Sequence, residues 1–300
     1  MKIYILDPFF ESGPAYAAEH ATVVRWDDPA AAHWHDDADG LMIRLSRIGP
    51  DDFARAKRLK AISKQGVGIE NIDLDAARAH GVMVANTPGV NAEAVAEMAL
   101  ALALAVNRLV AVFDRGIRSG AVVDRTKLLG REAWQKTVGI IGMGHVGTRI
   151  ARKWRGAFDA RILAYDPYVP AGHWPDIAHE RVATLDAMLP RVDVLTLHLP
   201  FTAESRGMIG ARALALMKPE AVVVNCARGG IVDEAALFDA LQTGRIAGAG
   251  LDVFDAEPPT TANRLVSLPN VVSSPHAAGS TYETQRRIAE VTAAQLVDML

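Results

Sequence analysis

Cys226 is the only cysteine among 300 residues, so no disulfide can form within the chain, and a reducing, cytoplasmic setting is expected. Charge of one sign is equally scarce. The 32 Lys and Arg against 35 Asp and Glu leave a formal net charge of -3, and no run of like charges breaks the sequence. The electrostatic footprint of a nucleic-acid binder is therefore missing. Long hydrophobic runs are missing as well. The longest, Met98 to Val106, is too short to span a bilayer and follows Glu93 and Glu97. The N-terminus shows no charged-then-apolar leader and opens instead on a strand-like run, Lys2 to Leu6. No repeat and no low-complexity segment is visible. These absences predict a soluble chain with neither a nucleic-acid nor a membrane partner.

What is present is apolar and rhythmic. Half of the residues are hydrophobic, enough for a large core, and the length suggests two α/β domains. Short β-rich runs alternate with helical patterns throughout, as in parallel sheets built from βαβ units. Lys2–Leu6, Leu41–Leu45, Leu59–Ser63 and Val82–Ala85 read as strands, with helices at Asp51–Arg58 and Asp73–His80. Asp73 is a plausible N-cap and Gly81 a C-terminal stop. The Ala/Leu-rich stretch Asn91–Val112 is apolar on most sides, which predicts a helix buried between domains or subunits. An irregular stretch, Arg115–Gln135, leads into the second domain. Six more strands then follow: Val138–Ile141, Arg161–Tyr165, Val192–Leu197, Ala221–Asn225, Gly248–Val253 and Val271–Ser274. With helices between most of them, they match a complete doubly wound sheet. A last helix, Thr281–Leu300, is expected to pack back on the first domain.

Gly142-Met143-Gly144-His145-Val146-Gly147 follows the first of these six strands and opens a helical pattern. Glycines in a GxGxxG spacing are a weak signal alone. A strand before, a helix after and an acid at the end of the next strand make the signal specific for a dinucleotide. Gly142 permits the tight turn, Gly144 the approach of a pyrophosphate, and Gly147 close helix–sheet packing. The helix N-terminus offers free N–H groups to the phosphates, with His145 and Val146 contributing main-chain amides. Asp166 can accept bonds from both ribose hydroxyls and would repel a 2′-phosphate. NAD (NADH) is therefore the expected cofactor in preference to NADP, and no metal is expected.

Three polar residues fall just past the ends of later strands: Arg228, Glu257 and His276. Strand ends form the ligand crevice of an open parallel sheet. Hydride transfer from a 2-hydroxy acid needs a guanidinium to hold the carboxylate and a base to take the hydroxyl proton. It also needs a carboxylate to orient that base and stabilise its charged form. Arg228, His276 and Glu257 can fill these roles in that order. Each alone has a plainer reading, as a surface ion pair, a satisfied polar residue or a loop charge. Their joint placement on neighbouring strand ends favours chemistry.

With these residues in view, the sequence resembles the D-isomer-specific 2-hydroxyacid dehydrogenases, a family that includes phosphoglycerate dehydrogenases and glyoxylate/hydroxypyruvate reductases. The resemblance runs over nearly the whole chain and is strongest from Thr137 to Ser280. It rests on the glycine loop with Asp166, Leu197-His198-Leu199-Pro200, Asn225 through Glu234, Gly250 through Pro258, and Ser274 through Ser280. It implies an α/β fold of two Rossmann-like domains. A doubly wound NAD domain would occupy 97–280, and a flavodoxin-like substrate domain 1–96 plus 281–300. It assigns catalysis to His276, Glu257 and Arg228, and adds His198, Leu199, Pro200, Cys226, Ala227 and Asp252 to the cofactor site. It also places the substrate carboxylate on Arg228 and on backbone amides at Gly66, Val67 and Gly68, where a glycine-rich loop exposes donors.

The expected function is hydride transfer between NAD(H) and C2 of a small D-2-hydroxy or 2-oxo acid, in a homodimer. Another class shares this fold and triad, the NAD(H)-sensing C-terminal-binding protein corepressors, but no docking motif or disordered tail suggests it. Lys64-Gln65 departs from the small residues or arginine common in relatives, so the mouth of the substrate site differs. Arg44 could reach a second anionic group on a substrate, although a surface ion pair is the plainer reading. The C-terminal regulatory domain of many phosphoglycerate dehydrogenases does not follow, so serine feedback is not expected.

Overall fold

The computed structural model describes residues 1–170 and 172–300. They form two compact units, Met1–Asn91 with Gly279–Leu300, and Ala92–Ala278. In the first unit the chain runs β1 (Lys2–Ile5), α1 (Ser12–His20), β2 (Thr22–Val24), β3 (Gly40–Ile43), α2 (Pro50–Arg55), β4 (Ala61–Lys64), α3 (Leu74–Ala79) and β5 (Met83–Asn86). The strands pair in parallel in the order β2-β1-β3-β4-β5, the flavodoxin-like order. Alternation along each strand splits the core. Ile3, Ile5 and Met42 face one way with Ala293 and Leu296 of the C-terminal helix, while Tyr4, Leu41 and Ile43 face Trp34 and Phe53. That C-terminal helix, Tyr282–Met299, starts with Thr281 Oγ1 accepting from the Thr284 N–H. It lies close on the sheet and on α1, because a Cβ at Gly40 would sit 2.7 Å from Leu300 and one at Gly13 2.7 Å from the Ala289 carbonyl.

The second unit contains α4 (Ala92–Asn107), α5 (Val110–Arg118), β6 (Thr137–Ile141), α6 (His145–Phe158), β7 (Arg161–Tyr165), β8 (Glu180–Arg181) and α7 (Leu185–Met188). It continues through β9 (Val194–Leu197), α8 (Ala211–Leu216), β10 (Val222–Asn225), α9 (Glu234–Gln242), β11 (Gly248–Leu251) and β12 (Val271–Ser273), and the C-terminal helix of the first unit is α10. All strands are parallel in the order β12-β11-β10-β9-β6-β7-β8. This is a doubly wound sheet that reverses direction between β6 and β9. Its central strands β9, β10 and β11 are buried along their whole length, which explains their continuous apolar sequences.

Several sequence expectations change. The stretch 91–112 is not one helix. Leu109 takes a left-handed φ of 56°, and α4 and α5 meet at a 65° bend. Within its own unit α4 packs against β10, β11 and α6. Glycine makes room for it, since a Cβ at Gly250 would lie 2.8 Å from the Leu102 Cβ. The first residues of α4 therefore belong to the second unit. The observed crossings fall at Asn91/Ala92 and Ala278/Gly279, where the expected ones were at 96/97 and 280/281. Among the described residues, the elements without a counterpart in the sequence reading include α1, the short edge strand β2, the 3-10 helix Pro29–Asp36, and β8, whose two residues carry no apolar signal. Among the described residues, no single helix is long and apolar enough to cross a membrane.

Candidate active site

The glycine loop joins β6 to α6. Gly142 has φ 94°, a left-handed value that only glycine adopts freely, and a Cβ there would collide with the His198 carbonyl. A Cβ at Gly147 would collide with the Gly142 carbonyl, whereas nothing lies within 4 Å of the Cβ position at Gly144. The left-handed turn thus falls on Gly142, the close packing contact on Gly147 and the open face on Gly144. Gly144 is the N-cap of α6 without any side-chain cap, which leaves amides at His145 and Val146 for an anion. The His145 side chain is exposed and Val146 packs against the core. Asp166, at the end of β7, accepts from Met143 N–H at 2.9 Å and Tyr168 N–H at 3.0 Å. It remains partly exposed, so its carboxylate is oriented at the loop and still has acceptor sites free.

His198, Leu199 and Pro200 leave β9, next to β6 across the reversal of strand order. The His198 Nε2 pairs with Thr196 Oγ1 at 2.9 Å, and its buried Nδ1 has no partner. Burial pushes its pKa down to about 3, so this imidazole is neutral and is not the proton carrier. Cys226 and Ala227, after β10, are both buried. Burial, reinforced by Asp252, pushes the Cys226 thiol up, which makes it an inert wall.

The three catalytic candidates sit on successive strand ends. His276 Nδ1 donates to Glu257 Oε2 at 2.7 Å, and Glu257 Oε1 accepts from Phe254 N–H at 3.1 Å. The ring is thereby held by one nitrogen, with Nε2 left for chemistry. The half-buried Arg228 donates through Nη1 to the Ala227 carbonyl at 2.7 Å, which leaves most of its fork free. Asn225 shapes this loop, donating from Nδ2 to the Arg228 carbonyl at 2.9 Å and accepting Ala227 N–H at 3.0 Å. His276 itself has a left-handed φ of 54°, a strained value for a side-chain-bearing residue. Asp252 holds it there. Fully buried, its carboxylate accepts from Ser274 Oγ at 2.6 Å, Ala277 N–H at 2.8 Å and Ala278 N–H at 2.9 Å. The Asp252 side chain is therefore spent on the histidine loop.

In the first unit, Gly66 has φ 105°, but its N–H already donates to Thr87 Oγ1 at 2.8 Å. Of the three expected amide donors, those of Val67 and Gly68 remain without an acceptor among the described residues. The Arg44 N–H is also engaged, with Asp7 Oδ2 at 2.6 Å. Sequence reasoning missed Asp7 and Thr87, because each acts on main chain distant in sequence, and Asn225, which acts on its own turn. For Asn225 alone, the turn chemistry of a strand-ending asparagine was a usable signal.

Residues 100–278 match the D-isomer specific 2-hydroxyacid dehydrogenase, NAD binding domain family. The chain is 39% identical over 265 residues to the D-3-phosphoglycerate dehydrogenase of Methanocaldococcus jannaschii, covering 88% of this chain and 50% of that protein. It is 37% identical over 306 residues to the glyoxylate reductase of Korarchaeum cryptofilum, covering 99% and 92%. The chain thus spans about half the length of the phosphoglycerate dehydrogenases it matches. Among solved structures, the NAD-complexed D-isomer specific 2-hydroxyacid dehydrogenase of Lactobacillus delbrueckii superposes with a TM-score of 0.85 at 26% identity, covering 99% of this chain and 96% of that one. With the glycine loop, Asp166 and the strand-end residues all in place, the chain belongs to the D-isomer-specific 2-hydroxyacid dehydrogenase family and carries its NAD-binding domain.

Proposed function

We propose that the protein transfers a hydride between NAD(H) and C2 of a small D-2-hydroxy or 2-oxo acid. The observation that carries this reading is the 2.7 Å pair of His276 Nδ1 and Glu257 Oε2 at the strand ends of an NAD-binding sheet. Bound nicotinamide supplies or accepts the hydride. The protein's own part is to grip a carboxylate and to move one proton. The free guanidinium N–H groups of Arg228 receive the substrate carboxylate. His276 Nε2 gives a proton to the carbonyl oxygen during reduction and takes it back during oxidation, while Glu257 stabilises the charged ring. Asp252 acts through the histidine loop, and the main chain at His198, Leu199 and Pro200 borders the cofactor beside Gly142.

A homodimer belongs to the same proposal, but its support moves from α4 to α5. No residue of α5 is buried, and Ile117, Leu129 and Trp134 are 72%, 74% and 61% exposed, an apolar surface suited to a second copy. The lone, buried Cys226 suits a cytoplasmic setting.

His276→Ala tests the assignment. Turnover with a panel of 2-oxo acids should fall by about 10³-fold or more, from loss of proton transfer and ring–substrate contact together. NADH binding, followed by fluorescence, should stay within about two-fold. An active variant would falsify the role of His276, and tight NADH binding by a wild-type protein inert to the whole panel would favour the sensor class instead.

A further inference from the structure

Arg228 and Glu257 lie on different loops, after β10 and after β11, and their spacing must be held for one substrate to meet both. The Glu257 loop has little packing beneath it. A cleft of about 490 Å³ lined by Phe238, Ala256, Pro258, Thr260 and Arg264 runs along it. What fixes this loop instead is a pair of carboxylates outside the catalytic set. Glu234 is the first residue of α9, but the helix is already capped by Asp233, whose Oδ1 accepts Ala236 N–H at 3.0 Å. Both oxygens of Glu234 leave the helix. Oε1 accepts from Asp255 N–H at 2.8 Å and Oε2 from Asn263 Nδ2 at 2.8 Å. One carboxylate therefore pins the loop near both of its ends. Asp255 then reaches back, its Oδ1 accepting from Gly230 N–H at 2.7 Å. Alongside, Gly229 lies so close to the Phe254 carbonyl that no Cβ would fit. The next bonds in the series are Phe254 N–H to Glu257 and Glu257 to His276.

We propose that Glu234 and Asp255 are positioning residues for this reaction. Glu234 sets the turn that presents Glu257 to the imidazole, and Asp255 ties that turn to the arginine loop. The proposal rests on the dehydrogenase reading above. Neither residue touches a reacting atom; each acts through main chain. Displacing a catalytic group by about 1 Å can cost on the order of 10²-fold in rate, so the clamp is a rate device as well as a structural one.

The test uses the full chain with Glu234→Ala, Asp255→Ala and Asp255→Asn. Glu234→Ala and Asp255→Ala should each lower kcat about 10- to 100-fold and displace the pH–rate profile, with NADH affinity kept within about two-fold because the glycine loop lies on other strands. Asp255→Asn keeps an oxygen for the Gly230 N–H and should recover activity to within about three-fold of wild type. The double alanine variant should be far less than multiplicatively worse, since both residues act on one turn. The proposal fails if Glu234→Ala keeps the wild-type kcat and pH profile. It fails equally if Asp255→Asn is as poor as Asp255→Ala, or if lost activity only follows lost folded protein. NMR titration of the His276 imidazole reads the clamp without turnover. If wild type reduces no 2-oxo acid yet the titration moves in Glu234→Ala and in Asp255→Ala and stays near wild type in Asp255→Asn, the clamp stands and the reaction assignment falls; an unmoved titration overturns the clamp.

Discussion

Both units contain a parallel sheet whose strand order reverses, and both place main-chain N–H groups at the reversal, yet one seat is filled and the other open. In the first unit the reversal lies between β1 and β3. There the buried carboxylate of Asp7 accepts from the successive amides of Arg44, Leu45 and Ser46 at 2.6, 3.1 and 3.1 Å. Successive amides of this kind make an anion seat, and the chain fills it with its own side chain. In the second unit the reversal lies between β6 and β9. There the capless start of α6 and the bare face of Gly144 leave the seat vacant of protein groups. The crevice comes with the topology; whether it receives a ligand depends on the residue at the strand end. A carboxylate at Asp7 closes the crevice, while glycines at 142 and 144 open the corresponding place beside β6.

The largest expected effect comes from closing the open seat. Gly142→Ala must leave a left-handed φ and push away the His198 carbonyl, which is main chain and cannot swing aside. NADH affinity should fall by roughly 100-fold or more, as expected when a strained φ and a backbone collision displace the phosphate amides. A titration giving near wild-type affinity would show that the turn tolerates a Cβ and that the seat is not built as described. Opening the filled seat should do less. Asp7→Ala strands three amides, at about 1–3 kcal/mol each before water and relaxation recover part of it, so a loss of about 2–4 kcal/mol in denaturant unfolding is expected. Asp7→Asn should lose less, and sulfate should raise the melting temperature of Asp7→Ala more than that of wild type. An indifferent Asp7→Ala would break the comparison. The smallest effect concerns His198 beside the open seat. Its pKa is pushed from 6.5 to about 3 by burial, so the unfolded chain takes up the proton first. This group lowers stability progressively as pH falls from 6.5 toward 3 and has no effect well above 6.5. His198→Asn should flatten that part of the melting temperature–pH curve, provided its amide preserves the Thr196 contact.

Much of the second unit was legible beforehand because its signals are local. The strand, glycine loop and helix at 138–154, and the acid after the next strand, lie within one βαβ unit. Arg228, Glu257 and His276 could be placed by counting strand ends, and the bond between His276 and Glu257 followed from that placement. The residues that hold them were not legible. Glu234 reads locally as a helix-start acid, Asp255 as a loop charge and Asp252 as a residue near the cofactor. Their hydrogen-bond partners lie 21 to 29 residues away for Glu234, 25 for Asp255 and 22 to 26 for Asp252. The stretch 91–112 shows the same limit from the other direction. Its composition predicted burial correctly, but neither the bend at Leu109 nor the glycine-lined sheet that receives α4 could be read from apolar periodicity.

The sequence by itself determined the two α/β layers, the dinucleotide loop, the acid that follows the next strand and the strand ends on which Arg228, Glu257 and His276 fall. Each depends on residue type and short-range spacing. Tertiary structure alone decided which amides are free and which are taken. It gave the Gly66 N–H to Thr87 and those of Arg44 to Ser46 to Asp7, and it spent Asp252 and Glu234 on neighbouring loops. A hydrogen-bond donor is available only if folding brings no acceptor to it, and that is a property of distant partners rather than of the residue that carries it.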